Sequence, residues 1–183
     1  DYDGWWRCEP GYIDGTASDP AANFQITRPA NLETGDVDGF EVVLQHLFGD
    51  TGFGAQFNAT IVNGGDVDVD VTKIGRQFIL PGLGDSGNAS VFYEDDKITA
   101  RIALNRRGET IVGFGNYDQP LYVMERDQID ASFSYRINEN ATVFVDGQNL
   151  NDENTRLFAR HPEMLFLAQD HGPIYRLGFR YKY

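Results

Sequence analysis

A recurrent alternation of apolar and polar residues, with a period of two, constrains the fold of this chain more than any other feature. It is clearest at the C-terminus, where aromatic and aliphatic residues alternate with Arg176, Arg180 and Lys182. The same alternation recurs in the segments 39–48, 53–61, 88–94, 98–105, 128–137 and 141–150. Successive side chains of a β-strand point to opposite faces, so each segment predicts a strand with one apolar face. No stretch follows a 3.6-residue period, and an all-β, antiparallel fold is therefore predicted.

The connections between the predicted strands alternate strictly between tight turns and long loops. The turns are 49–52, 95–97 and 138–140, and the loops are 64–87, 107–124 and 151–171. This alternation is typical of an outer-membrane β-barrel, which has short periplasmic turns and long extracellular loops. A soluble Greek-key sandwich has no reason to alternate so regularly. Residues 1–23 are predicted to form a further extracellular region, and residues 24–183 to form barrel strands with their loops.

The alternation also predicts which side chains contact lipid and which face the lumen. The apolar residues predicted to contact lipid are Phe53, Phe57, Ile61, Ile98, Ile102, Ile129, Phe133, Tyr175, Leu177 and Phe179. The polar residues predicted to face the lumen are Gln56, Asn58, Arg101, Ser132, Arg176 and Arg180. Seven such strands would leave both sheet edges unpaired in hydrocarbon, at several kcal/mol for each unsatisfied group. The remaining strands are therefore expected from further sequence or from another chain.

Charge and composition exclude other classes of protein. The net charge of −13 argues against a basic patch that binds nucleic acid or an anionic membrane surface. The sequence contains no run of 18 uncharged apolar residues, so it predicts no transmembrane helix. The chain starts at Asp1 without a signal peptide, so it is expected to be processed or to be a piece of a longer protein. Cys8 is the only cysteine, so any disulfide would need a partner outside this chain.

Four motifs occur in the order found in the last strands of one family. They are 27–31 (TRPAN) with 37–41 (VDGFE), 91–94 (VFYE) with 100–105 (ARIALN), 130–132 (DAS) with 143–153 (VFVDGQNLNDE), and 172–183 (GPIYRLGFRYKY). Each is weak alone, but together they span about residues 24–183 and resemble the C-terminal part of TonB-dependent outer-membrane receptors. In detail the chain is most similar to the proteobacterial subgroup that scavenges plant or algal carbohydrates.

The resemblance implies a fold, a function and partners. It implies that the chain forms about seven C-terminal strands of a 22-stranded barrel in the bacterial outer membrane. Such receptors bind a scarce nutrient, such as an oligosaccharide or a siderophore-type ligand, and import it into the periplasm. The implied partners are the remaining barrel strands and the plug domain, the TonB complex acting through the N-terminal part, the barrel assembly machinery and the membrane lipid. The resemblance implies no cofactor.

Aromatic and basic residues in or beside the predicted loops are candidates for ligand binding. The aromatic candidates are Trp5, Trp6, Phe114 and Tyr117, and the basic candidates are Arg76, Arg106, Arg156 and Arg160, with Arg107 considered beside Arg106 for the same chemistry. The aromatic rings could stack on a sugar or a siderophore, or they could form loop cores and the aromatic girdle. The arginines could bind acidic ligand groups in a bidentate manner. The alternative for them is pairing with the many loop acids.

The last strand matches the terminal signal by which outer-membrane barrels are recognised for insertion. The residues of this signal are Tyr175, Leu177, Phe179, Tyr181 and Tyr183. An exposed apolar strand with an open edge is suited to recognition by strand addition. The alternative is that these residues only contact lipid.

The sequence predicts neither a metal site nor an enzyme. The segment 66–70 begins like a calcium loop, but Val71 stands where glycine is needed and Gln77 where glutamate is needed. His161 and His171 have no identifiable third ligand and are interpreted as surface residues. No nucleophile elbow, phosphate-binding glycine loop or acid–base pair occurs. The alternative to a receptor is a soluble all-β carbohydrate-binding module, whose strands would bury the same apolar faces.

Overall fold

A computed structural model describes residues 5–7, 23–25, 35–64, 69–75 and 77–183 of the chain. The chain divides into two compact units, Asp1–Thr34 and Gly35–Tyr183. In the first unit, β1 (Trp5–Arg7) pairs with β2 (Asn23–Gln25) in an antiparallel hairpin. The second unit contains the remaining described strands.

The described strands of the second unit form two antiparallel sheets. Their bounds are β3 (Asp38–Leu47), β4 (Phe53–Asn63), β5 (Ser86–Glu94), β6 (Ile98–Arg107), β7 (Thr110–Phe114), β8 (Pro120–Val123), β9 (Arg126–Arg136), β10 (Ala141–Gln148), β11 (Thr155–Ala159), β12 (Leu165–Gln169) and β13 (Ile174–Tyr181). The described residues contain no α-helix, only one short 3₁₀ turn at Asn116–Asp118. The prediction of an all-β, antiparallel fold is confirmed. Within the described residues, no helix has the length and hydropathy needed to cross a membrane.

The larger sheet, called the main sheet, has seven strands in the order β3-β4-β5-β6-β9-β10-β13. Each strand pairs with the next one along the chain, except where β7–β8 and β11–β12 intervene. Tight turns join β3 to β4, β5 to β6, and β9 to β10 at one end of this sheet. The longer connections all leave from the other end, because neighbouring strands run in opposite directions.

The smaller sheet, called the distal sheet, has the order β7-β8-β11-β12. Each of its strands directly follows or precedes one main-sheet strand: β7 follows β6, β8 precedes β9, β11 follows β10, and β12 precedes β13. The distal sheet therefore repeats the neighbour order of the main sheet from β6 to β13. The sequence predicted long loops at 107–124 and 151–171, but each of these segments contains a pair of these strands.

The junctions between the two sheets contain residues with an unusual backbone. Asn149 has a φ of 56° and Asp152 a φ of 54° between β10 and β11, and Gly172 has a φ of 64° before β13. A positive φ is uncommon for any residue except glycine, and asparagine and aspartate adopt it most readily of the others. These residues interrupt the strands between the main and distal sheets.

Burial differs between the two sheets. The most buried side chains of the distal sheet belong to Pro120, Phe158 and Ala159, and Phe158 is only 3% exposed. On the main sheet large apolar side chains are widely exposed, including Phe40 at 76% and Leu177 at 85%, and in the distal sheet β12 also exposes Leu165 and Phe166. The distal sheet therefore has a small core of its own, whereas no described residue covers the apolar side of the main sheet.

Candidate functional site

The register of the main sheet places the predicted lipid-facing residues on one face. Residues directly opposite each other in an antiparallel pair share a face. One row of opposed residues runs across six strands and consists of Phe53, Tyr93, Ala100, Phe133, Val145 and Leu177. A second row consists of Leu44, Phe57, Ala89, Leu104 and Ile129. The ten apolar residues predicted from alternation all lie on this face, called the apolar face.

The opposite face, called the polar face, carries the six residues predicted to face a lumen. One of its rows consists of Gly54, Phe92, Arg101, Ser132, Asp146 and Arg176. A neighbouring row consists of Asn58, Asn88, Asn105 and Gln128. The main sheet thus separates two chemically different surfaces, and the polar one holds the groups that could bind a ligand.

A hydrogen-bond network fixes the side chains at the centre of the polar face. Asn88 Nδ2 donates to Asn105 Oδ1 over 2.6 Å, and Asn105 Nδ2 donates to Asp130 Oδ2 over 2.9 Å. The other carboxylate oxygen of Asp130 accepts from Gln128 Nε2 at 2.8 Å and from the backbone N–H of Asn149 at 2.9 Å. These bonds link β5, β6 and β9 to the junction before β11. Because its carboxylate already accepts three hydrogen bonds, Asp130 acts as the anchor of this network.

Two polar cavities flank the network. The first, of about 400 Å³, includes Arg107, Arg126 and the amides of Asn58 and Gln128 among its lining residues. The second has about 300 Å³, and its lining residues are Asn88, Arg101, Ala103, Asn105, Asp130, Ala131, Ser132, Asp146, Gly147, Gln148 and Arg176. Within the second cavity Arg101 donates to Ser90 Oγ at 3.0 Å and Arg176 to Gln148 Oε1 at 3.0 Å. The first cavity is the more basic of the two.

A larger hollow lies mainly on the apolar face. It has about 670 Å³ and is lined by large residues such as Leu44, Phe57 and Ile102 around the small side chains of Ala55 and Ala89. It is larger than either polar cavity, but its lining offers few polar groups to orient a ligand. We therefore place the candidate functional site on the polar face, where donors and charges converge.

Arg106, a predicted ligand-binding residue, is engaged by acids of the neighbouring segment. Its Nη2 lies 2.8 Å from Glu125 Oε2, and its Nη1 lies 3.3 Å from Asp127 Oδ2. The register puts Arg106 on the apolar face, two residues beyond Leu104. Burial, reinforced by the negative charge of Glu125, raises the pKa of Glu109. Arg106 therefore belongs to a charged cluster at the end of the apolar face, and it also lines the first polar cavity.

The two described aromatic candidates lie close together in the chain but differ in setting. Phe114 ends β7 opposite Pro120, whereas Tyr117 is 89% exposed in the turn that joins β7 to β8. Tyr117 also has a φ of 59°, a strained backbone conformation for a non-glycine residue. Its ring is thus displayed at the tip of the distal sheet. The ring pair within that sheet is formed instead by Tyr122 and Phe158, stacked with centroids 5.0 Å apart.

The other described arginine candidates lie on the β11–β12 hairpin. Arg156 is exposed on β11 opposite Ala168. Arg160 donates from Nη1 to the backbone oxygen of Val71 at 2.8 Å, and its backbone N–H donates to the oxygen of Pro120 at 2.9 Å. Arg160 therefore tethers the 64–87 connection to the distal sheet, a structural role that the sequence did not indicate.

Several predicted features fall outside the described residues. These are the side chains of Trp5 and Trp6, all of Arg76, the motif 27–31 and the first part of the segment 66–70. Among the residues that the structure does describe, no three His, Cys, Asp or Glu side chains are grouped to hold a metal ion.

The residues of the predicted assembly signal lie on the edge strand β13. Tyr175, Leu177, Phe179 and Tyr181 share the apolar face and are all exposed, as is Tyr183 beyond the strand. In the described sheet β13 pairs only with β10. The apolar side chains and one unpaired backbone edge are thus presented together.

The chain matches no protein-family model, no curated protein and no solved structure. Its functional interpretation therefore depends on the geometry of the described residues and on the resemblance carried by the four motifs. The sequence indicated Arg107 as a possible ligand-binding residue, but it did not predict a basic cavity shared by Arg107 and Arg126. The alternation could have indicated it, because it places both arginines on the polar face of their strands.

Proposed function

We propose that this chain is the C-terminal part of the barrel wall of a TonB-dependent outer-membrane receptor. The receptor binds a scarce nutrient, an oligosaccharide or a siderophore-type ligand, and imports it into the periplasm. One observation carries the proposal: an uninterrupted apolar face spans seven antiparallel strands, and the reverse side is a hydrogen-bonded polar face. A membrane-embedded wall with a wet interior has this division.

The dimensions of the main sheet support a membrane-crossing wall. Its strands have 8 to 11 residues. A tilted transmembrane strand needs about 9–11 residues to cross the hydrocarbon core. At a strand spacing of about 4.8 Å, seven strands present an apolar surface about 30 Å wide. An apolar surface of this extent is rare on monomeric soluble proteins and marks an interaction with lipid or with another protein.

The asymmetry of the connections supports an orientation. The tight turns at one end suit the periplasmic side, and the distal sheet at the other end suits the extracellular side. The distal sheet then extends the wall above the membrane, since it keeps the same neighbour order. In this orientation Arg106, Glu125 and Asp127 lie at the outer membrane boundary, where paired charges meet polar headgroups.

The open edges support a barrel larger than seven strands. In the described sheet β3 and β13 each have one unpaired edge. In hydrocarbon such edges cost several kcal/mol for each unsatisfied backbone group, so only a closed barrel is stable there. The remaining strands of a 22-stranded barrel would pair with β3 and β13, and a plug domain would occupy the space in front of the polar face.

A soluble carbohydrate-binding module remains the second candidate. It would require a second layer over the apolar face, as in a β-sandwich whose sheets pack about 10 Å apart. Leu177, Phe40 and Phe179 are instead widely exposed, so nothing in the described part of the chain forms that layer. The exposure of these side chains favours the membrane protein.

Membrane fractionation and heat-modifiable mobility test the proposal. The full-length protein should fractionate with the outer membrane, require detergent for extraction, and migrate faster on a gel when unheated than when boiled. A boiled barrel unfolds, whereas a closed barrel resists the detergent of the gel because every strand is paired. Recovery of a monodisperse monomer in aqueous buffer without detergent would overturn the proposal and favour the soluble module.

A further inference from the structure

Two arginines face each other across the polar face of the main sheet. Arg107 on β6 and Arg126 on β9 are directly opposed in the register, and Ser86 on β5 continues the same row. Like charges placed directly opposite each other on a sheet are destabilising. The arrangement therefore calls for a compensating negative group.

The nearby acids do not supply that group. Glu125 and Asp127 flank Arg126 in the sequence, but both pair with Arg106, which the register places on the apolar face. Arg126 Nη1 donates to a neutral acceptor, Thr155 Oγ1, at 3.0 Å. Among the described residues, no carboxylate lies within 4.0 Å of the guanidinium of Arg107 or Arg126. Two arginines without an acidic partner are unexpected in a chain with 28 acidic and only 15 basic residues.

Arg107 and Arg126 line a cavity whose other side chains are mostly neutral and polar. The cavity has about 400 Å³, within the usual range for a small-molecule site. Its neutral polar side chains belong to Asn58, Ser86, Asn88, Asn105 and Gln128. Arg106 also lines it, but its guanidinium is paired with Glu125 and Asp127. Asp130 lines it too, but its carboxylate accepts from Asn105, Gln128 and the backbone of Asn149. Asp130 is four residues from Arg126 along β9, about 13 Å at the usual rise, too far to neutralise it directly.

We propose that Arg107 and Arg126 bind the carboxylate of a polyhydroxylated small molecule, the chemical class of the sugar acids. The planar forks of two guanidinium groups match a carboxylate in geometry and charge. The surrounding amides and hydroxyl can donate to and accept from sugar hydroxyls. This inference rests on the proposed import function and gives its cargo an anionic character. The same carboxylate chemistry could also come from a side chain of another receptor segment, and the experiment separates the two sources.

Calorimetric titration of the full-length protein with hexuronates tests the inference. The protein in non-ionic detergent at low salt is titrated with galacturonate and glucuronate, and with their neutral counterparts galactose and glucose. We expect at least one uronate to bind about ten-fold or more tightly than its neutral counterpart, because a charged hydrogen-bond pair exceeds a neutral one by about 1.4 kcal/mol or more. Arg107→Gln and Arg126→Gln should each weaken uronate binding about ten-fold and leave binding of the neutral sugar unchanged.

Arg136→Gln is the matched control. Arg136 lies on β9 ten residues beyond Arg126, so it has the same parity and the same polar face, near the tight turns. It should leave uronate affinity unchanged. If neither uronate binds, or if the Arg136 variant loses as much affinity as the other two, the inference is overturned. Loss of thermal stability in the Arg107 and Arg126 variants without any uronate binding would assign the carboxylate to another segment of the protein.

The failure of the uronate site and the failure of the proposed import function give different experimental results. Heat-modifiable mobility is recorded on each purified variant, so that a folded barrel is established independently of binding. A heat-modifiable outer-membrane barrel that binds no uronate would overturn the inference alone. If the protein is soluble without detergent and still binds uronate through Arg107 and Arg126, the proposed import function is overturned. The proposed uronate site is then still supported.

Discussion

At the scale of single residues, the junctions and turns contain the most specific chemistry. Asn149 is buried at the junction between β10 and β11, with a φ of 56°. Its side chain accepts from the N–H of Glu153 at 2.8 Å and donates to the oxygens of Glu153 and Gly172 at 3.0 and 3.2 Å. One side chain thus connects the end of β10, the start of β11 and the entry to β13.

Asn149→Ala should destabilise the protein by about 2–3 kcal/mol. Its loss leaves buried backbone groups without partners, and alanine is strained at a positive φ. Urea unfolding of the reconstituted protein measures the change. Asn116→Ala, at an exposed position in the β7–β8 turn, is the control and should change stability by less than about 0.5 kcal/mol. Equal stability of the two variants would show that Asn149 does not hold the junction.

Asp95 organises the tight turn between β5 and β6. The hydroxyl of Tyr93 donates to it at 2.7 Å, and the backbone N–H groups of Lys97 and Ile98 each donate at 2.7 Å. These hydrogen bonds, that of Tyr93 first, lower the pKa of Asp95 below its ordinary value of 3.8. Because the folded-state pKa is the lower one, its stabilisation is present above pH 3.8 and is lost as pH falls through the folded value.

Asp95→Asn should therefore lower the melting temperature near neutral pH, and the difference from wild type should shrink in acid. Thermal melts between pH 7 and pH 2 measure this convergence. Asp96→Asn, a change to the next residue of the same exposed turn, removes the same charge and is the control; it should change the melting temperature near neutral pH much less than Asp95→Asn does. A constant offset for the Asp95 variant would refute the hydrogen-bonded carboxylate.

At the scale of elements, the distal sheet has a core that is separate from the apolar face of the main sheet. Tyr122 and Phe158 are directly opposed on β8 and β11, with their rings stacked 5.0 Å apart. Pro120 is almost completely buried in the same sheet. Since the main sheet contributes few side chains to this core, the distal sheet should open without unfolding of the main sheet.

Phe158→Ala should open the distal sheet selectively. Deleting a fully buried phenylalanine costs about 3–5 kcal/mol, and that loss should fall on β7, β8, β11 and β12. Hydrogen exchange should accelerate at these strands and stay unchanged at β4, β5 and β9. Leu165→Ala, which removes an exposed apolar side chain of β12, is the control and should change neither sheet. Equal acceleration in both sheets would contradict an independent distal sheet.

The sequence predicted the main sheet well and missed the distal sheet, for a physical reason. Strands of 8 to 11 residues with one apolar face repeat the alternation often enough to be recognised, and turn residues such as Gly49 and Gly52 mark their ends. The distal strands have 4 or 5 residues, and β12 (LFLAQ) has apolar side chains in succession. So short a segment shows no period, and its strand conformation depends on pairing with its neighbours.

For the candidate site too, the sequence predicted the features that depend on local alternation and missed those that depend on pairing between strands. Alternation placed Arg101, Ser132 and Arg176 on the polar face, because parity alone decides the face. It could not show that Glu125 and Asp127 pair with Arg106, or that Arg107 opposes Arg126. Those relations depend on the register between strands that are 19 residues apart in the chain, which local patterns do not contain.

At the scale of the whole molecule, β13 combines an exposed apolar face with an open edge. Tyr183 lies beyond the last ladder pair and is fully exposed. If Tyr183 belongs to an insertion signal, Tyr183→Ser should sharply reduce the amount of the protein in the outer membrane. Its effect on the melting temperature in detergent should be small, since the cost of polar substitutions falls near the interface.

Tyr135→Ser is the control for this assembly prediction. Tyr135 lies on the apolar face of β9, in the row of Ile98 and Phe179, but not on the terminal strand. Quantitative blotting of outer membranes compares the abundance of the two variants. Equal abundance of the Tyr183 variant and wild type would leave these aromatics with only a packing role.

In the proposed membrane protein, the apolar face of the main sheet contacts lipid and the polar face contacts water. Spin labels on β9 test this division between the two faces. They are introduced into the full-length protein after Cys8 has been replaced by serine. Single cysteines replace Ala131, Ser132, Phe133 and Ser134 in turn, and collision rates with oxygen and with a water-soluble nickel chelate are measured in lipid vesicles. Positions 131 and 133 should collide mainly with oxygen, and positions 132 and 134 mainly with the nickel chelate. Collision rates without a period of two, or nickel access at all four positions, would contradict it.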